Sequence, residues 1–172
     1  MGAVSLAWAR ARLGHGDAVA ELRQSVAAFI DQGNKLWVPI YHVLLAEFEA
    51  EEGSLEAALI RTDHALAMVQ QTGEHRFDAL LHRVRGEILL KRQPTHPAPA
   101  EEAFLTAIAI AQQQKTRTFE LQAALALARL YRSINHGADA LAVLAPALQG
   151  FSPSPELREI ADAQALVKTL TS

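Results

Sequence analysis

One pattern of residue sizes recurs four times along the chain, and it constrains the fold more than any single motif. A small residue is followed four places on by a second residue and three places later by another small one. The four copies are Ala18-Leu22-Ser25, Ala58-Thr62-Ala65, Ala100-Phe104-Ala107 and Ala140-Leu144-Ala147. Their first positions lie 40, 42 and 40 residues apart, and each triplet runs directly into a large apolar residue, Val26, Leu66, Ile108 or Leu148. Steps of four and three put these residues on one face of a helix. Small residues on that face let a second helix approach closely. A period of this length is the mark of stacked helix pairs, none of which can bury its apolar face alone.

The segments ahead of each triplet keep the same step. Trp37, Phe77 and Phe119 recur near the start of a second helix type, and Ala46, Gly86 and Ala128 recur in its middle. Glycine in a helix interior costs about 1 kcal/mol relative to alanine, so Gly86 is expected where a neighbouring helix leaves no room for a Cβ. Gly33 and Gly73 are placed to end helices in the left-handed conformation. Lys115 stands at that position in the third repeat, and a different cap is expected there.

The fold class expected is therefore all-α. Helices are expected near 3–13, 16–32, 36–52, 54–72, 75–92, 98–114, 117–134, 137–149 and 156–170. Ser54 and Glu56 stand where an N-cap and a first-turn acid belong. Turns fall at Gly14-His15-Gly16, Gly53-Ser54 and Asn135-His136-Gly137. Pro94 to Pro99 supply the two extra residues of the longer repeat. Ser152-Pro153-Ser154-Pro155 sets off a last helix bearing Leu157, Ile160, Val167 and Leu170. The chain divides into repeats at about 3–33, 34–73, 74–115 and 116–150 with a capping helix over 156–171, all in one domain spanning 1–172. Pro39 fits a first helical turn, whereas Pro146 should kink or loosen its helix.

Composition supports this reading. Half of the residues are hydrophobic but only 6% are aromatic, so alanine and leucine carry the apolar content. The formal charge of −3 gives no basic excess for gripping phosphates, which argues against nucleic acid as a partner. The chain has no cysteine, which removes disulfides, thiolate metal sites and cysteine nucleophiles and fits a cytoplasmic setting. Arg10 and Arg12 interrupt the apolar start before a signal-peptide core forms, and no run is long enough to span a membrane.

No arrangement of residues assembles an active site. The histidines are His15, His42, His64, His75, His82, His96 and His136, and none has a metal-site spacing or a completing acid. His42 and His82 occupy equivalent repeat positions, which favours a structural role. Glu47, Glu49, Glu51, Glu52 and Glu87 read as solvated faces or i,i+4 ion pairs. Ser5, Ser25, Ser54 and Ser133 lack a nucleophile turn. No catalytic residue, cofactor or metal is expected.

The triplets, with the small residue in the preceding helix, match the signature of the tetratricopeptide repeat (TPR); Ala100-Phe104-Ala107 with Gly86 is the closest copy. The segments ELRQSVAAFIDQG, LWVPIYHVLLAEFEAEEG, HALAMVQQTGEHRFDALLHRVRGEILL and LQAALALARLY resemble the C-terminal TPR-like regions of bacterial multidomain adenylate/guanylate cyclase or STAND-ATPase transcriptional regulators. The resemblance covers roughly residues 5 to 170. It implies a regulatory, non-enzymatic module that engages a protein or peptide partner, or upstream domains of a larger protein; a small-molecule inducer sensor is the alternative. It implies no cyclase or ATPase activity, because the chain has no P-loop and no placeable cyclase aspartates. In such folds the first helix of each pair lines a concave face, here placing Val43 and Glu47, Arg83 and Glu87, and Leu125 and Arg129. Glu47, Arg83, Glu87 and Arg129 are the candidates for a charged groove, although they can equally pair with one another or face solvent. Trp37 is expected in the core with Phe77 and Phe119; Trp8 is less determined. The abrupt start of the first helix pair leaves homodimerisation or docking onto another domain open.

Overall fold

Runs of alanine and leucine broken by short Gly, Pro and Asn turns leave the chain little alternative to helices joined by tight connections. A computed structural model of the protein describes residues 2–15, 17–33, 37–152 and 158–171. Among these residues it contains α1 (Gly2–Arg12), α2 (Ala18–Asp31), α3 (Val38–Glu51), α4 (Leu55–Thr72), α5 (Asp78–Arg92), α6 (Ala98–Gln114), α7 (Arg117–Ser133), α8 (Gly137–Leu148) and α9 (Arg158–Leu170). A 3-10 turn over His75–Phe77 stands where the fifth helix was expected to begin. There is no strand among the described residues. Gly16, Pro153 to Pro155 and Leu157, singled out above, lie outside them. No helix is long and apolar enough to cross a membrane, the described residues being those searched.

The chain forms two compact units, residues 1–77 and 78–172. In the first, α1 packs on α2, α2 on α3, and α3 on α4. Its core joins Val4, Ala7 and Ala11 of α1 to Leu22, Val26 and Phe29 of α2 and to Tyr41, Leu45 and Phe48 of α3. In the second, each helix from α5 to α9 packs on its successor, and α7 also packs on both α5 and α9.

The size pattern is explained by this packing. Ala18, Leu22, Ala58, Thr62, Ala65, Ala100, Phe104, Ala107, Ala140, Leu144 and Ala147 are all buried, as are Ala46 and Ala128; Ser25 is half-buried. A hydroxyl at the buried Thr62 position is satisfied by donating to the Ala58 carbonyl at 2.8 Å. Gly86 is where α5 meets α6: an added Cβ would lie 2.6 Å from Cε1 of Phe104.

Helix ends follow one device more often than the sequence implied. Lys115 is left-handed at φ 57°. The Thr116 N–H donates to the Ala111 carbonyl at 2.9 Å and the Lys115 N–H to Gln112 at 3.1 Å. That is the Schellman arrangement, so the expectation of a different cap is corrected: lysine adopts the glycine conformation. Asn135, at φ 63°, ends α7 in the same way, its neighbour His136 donating to Tyr131. Ser54 does stand at the N-cap of α4, but its side chain makes no capping bond. Pro39 lies in the first turn of α3 as expected. Pro146 sits in the last turn of α8, and the Arg117 guanidinium caps that end by donating to the Ala147 and Gln149 carbonyls at 3.1 and 2.7 Å.

Candidate functional site

The four charged candidates do not stand as open groove charges; each is held by a partner within its own unit. Arg12 of α1 donates to Glu47 at 2.6 Å and to Glu51 at 2.7 Å. Arg83 pairs with Glu87 at 2.6 Å, one helical turn apart on α5, and Arg129 of α7 pairs with Asp162 of α9 at 2.7 Å. Of the four, only Arg83 and Glu87 pair with one another; the partners of Glu47 and Arg129 come from other helices. Pairs this exposed contribute at most about 1 kcal/mol each.

Glu87 and Arg129 nevertheless share a site. They face an open cleft of about 390 Å³ in the second unit, lined also by Leu90, Lys91, Phe104 and Ala126. Helix α5 contributes Glu87, Leu90 and Lys91, α6 contributes Phe104 and α7 contributes Ala126 and Arg129. The floor is apolar and the rim charged. Lys91 was missed in the sequence, because a lysine in the last turn of a helix reads as a favourable helix-dipole partner and nothing more. Leu125, counted toward the same face, is instead buried in the core with Ala128 and Leu144. Val43, its counterpart in the first unit, is buried as well.

A second polar cluster lies inside the first unit, where ten of the fourteen residues of α3 are buried. Glu49 is one of them, and Arg61 of α4 clasps its carboxylate with two hydrogen bonds of 2.8 and 2.6 Å. The expectation that Glu49 is a solvated surface acid or part of an i,i+4 pair is corrected: it is a buried carboxylate paired with an arginine of the next helix. Arg61 Nη1 also lies 3.5 Å from Nδ1 of His42, and the His42 and His64 rings meet edge to face at 5.2 Å. Burial, with help from the Arg61 and His64 charges and against Glu49, lowers the His42 pKa to about 4. Burial also lowers that of His82, the repeat-equivalent residue, against the opposing pull of Asp78. Both shifts favour the neutral ring near pH 7. No group of three or more potential metal ligands forms among the described residues.

The aromatic residues are less enclosed than expected. Trp37 is half-buried against the first core; its ring lies 5.7 Å from that of Phe77, with the Arg76 guanidinium over it. Phe77 and Phe119 are likewise half-buried. Trp8 is half-buried, with Arg12 between its ring and that of Phe48. In the second unit Tyr131 donates a 2.7 Å hydrogen bond to Glu101. Burial and then that carboxylate push its phenol up to about 12.

No protein-family model matches the chain, and no curated protein matches its sequence.

Proposed function

We propose that this chain is a non-catalytic interaction module of the TPR-like class, a stack of helix pairs serving as the regulatory part of a bacterial signalling protein. The observation that carries the proposal is the α5–α6–α7 cleft, which combines an open shape, an apolar floor and a charged rim. Two further features support it. In the second unit α7 packs on α5 and α9 as well as on its sequence neighbours, the relation that first helices of successive pairs have in a solenoid. The size pattern also repeats through both units with nearly constant spacing.

An open cleft with an apolar floor suits a side chain of a polypeptide segment, whose backbone can stay at the rim. A small inducer would need more of its surface enclosed, since such sites cover most of their ligand. The test is selection of short displayed peptides on the immobilised chain, followed by hydrogen exchange with an enriched peptide bound. The expected result is a competing family of peptides that protects α5 and α7. Absence of any enriched family, or stabilisation by a small metabolite with no peptide bound, overturns the reading.

A further inference from the structure

We infer that the α5–α7 cleft selects partner segments carrying an apolar side chain next to a carboxylate, with Lys91 as the residue that reads the acid. This inference rests on the interaction-module reading above and adds the chemistry of the partner to it.

Most charges at the rim are already neutralised. Glu87 is held by Arg83, and Arg129 is held by Asp162. Lys91 makes no ion pair with any described residue and is exposed at the end of α5. Taken together, Arg83, Glu87, Lys91, Arg129 and Asp162 leave one uncompensated positive charge, and it belongs to Lys91. Between these charges the floor is built from Leu90 and Ala126, both half-buried, and from Phe104. A volume of about 390 Å³ admits more than a single small group. A segment that places an aliphatic or aromatic side chain over Leu90 and Ala126 brings its neighbouring residues to the rim. There an acid gains the free ammonium without opening an existing pair. A base meets Lys91 and has to share Glu87 with Arg83 or Asp162 with Arg129. The preference for acid is therefore one of charge complementarity set by which pairs the chain has already closed.

The pair is solvent-exposed, so its contribution is modest and the informative perturbation is a reversal of charge. Lys91→Glu replaces an attraction by a repulsion and is expected to weaken an acidic peptide about tenfold, with Lys91→Ala weakening it about threefold. The experiment repeats the peptide selection on the wild-type chain and on Lys91→Glu, then measures affinities by calorimetry. Circular dichroism and thermal melting establish that both variants fold. Wild type is expected to enrich peptides with an apolar residue and a nearby Asp or Glu. Lys91→Glu should enrich peptides with Lys or Arg at that place, and exchanging the peptide's Glu for Lys should restore binding to it. Peptides that protect α5 and α7 without any acidic preference, or whose affinity changes less than about twofold in Lys91→Glu, overturn this inference and leave the interaction module standing. Failure to enrich any peptide overturns both.

Discussion

Replacing Gly86 by alanine sets two effects of similar size against each other, and the structure decides which wins. In an exposed helix the substitution stabilises by about 1 kcal/mol. At this position the new Cβ would lie 2.6 and 2.7 Å from Cε1 and Cδ1 of Phe104 and 3.1 Å from the Ala100 carbonyl oxygen. Phe104 is 1% exposed and packs with Ala100, Leu127 and Leu130, so its ring has little room to retreat, and the carbonyl belongs to helix backbone. Overpacking of this kind costs about 1–3 kcal/mol. A steric cost in the upper part of that range leaves Gly86→Ala less stable by about 1–2 kcal/mol after the helical gain is subtracted. The assay is urea unfolding, with a lower midpoint and an unchanged slope expected. Phe104→Leu opens the space that the Cβ needs. In that background Gly86→Ala should become neutral or stabilising, a coupling of about 1–3 kcal/mol. A Gly86→Ala protein more stable than wild type, or an equal effect in both backgrounds, would refute the close-approach account of this glycine.

Three other outcomes follow from local geometry. Lys115→Gly removes a left-handed lysine from the end of α6 and should raise stability by about 1 kcal/mol in the same urea assay. His42 is neutral in the folded chain down to about pH 4, whereas in the unfolded chain it titrates at its ordinary value of 6.5. The unfolded state therefore binds the extra proton between those values, and stability falls as pH drops through the window, by up to about 3 kcal/mol. Melting curves of wild type and His42→Gln should diverge as pH falls from about 7.5 to about 5.5, wild type showing the steeper loss. Arg61→Ala leaves the Glu49 carboxylate buried without its guanidinium and should cost about 2–3 kcal/mol in chemical unfolding. The paired change of Arg61 and Glu49 to leucine should recover most of that.

Helix positions were legible because periodicity is local: each apolar stripe is written within a turn or two of itself. The buried triplets were legible for the same reason, reinforced by repetition. What escaped depends on partners distant along the chain. Arg12 and Glu47 are 35 residues apart and Arg129 and Asp162 are 33 apart, and no spacing rule links such pairs. Glu49 resembled a surface acid because the arginine that permits its burial lies on the next helix. Lys115 was misjudged for an energetic reason. A left-handed lysine costs on the order of 1–2 kcal/mol, and Schellman hydrogen bonds at the end of a long helix offset that cost. Lys91 escaped because its importance lies in what it does not pair with, and this emerges only after every neighbouring charge has found its counterpart.

The way the helices adjoin also bears on how the chain finds its structure. Within each unit the closely packed pairs are neighbours in sequence or one helix further on. Closing such a contact costs the entropy of a short connection, which rises only slowly with loop length. A chain whose contacts are this local should reach its native state rapidly, on the scale of helical bundles rather than of β-sandwiches. No late long-range docking step is needed to complete either unit.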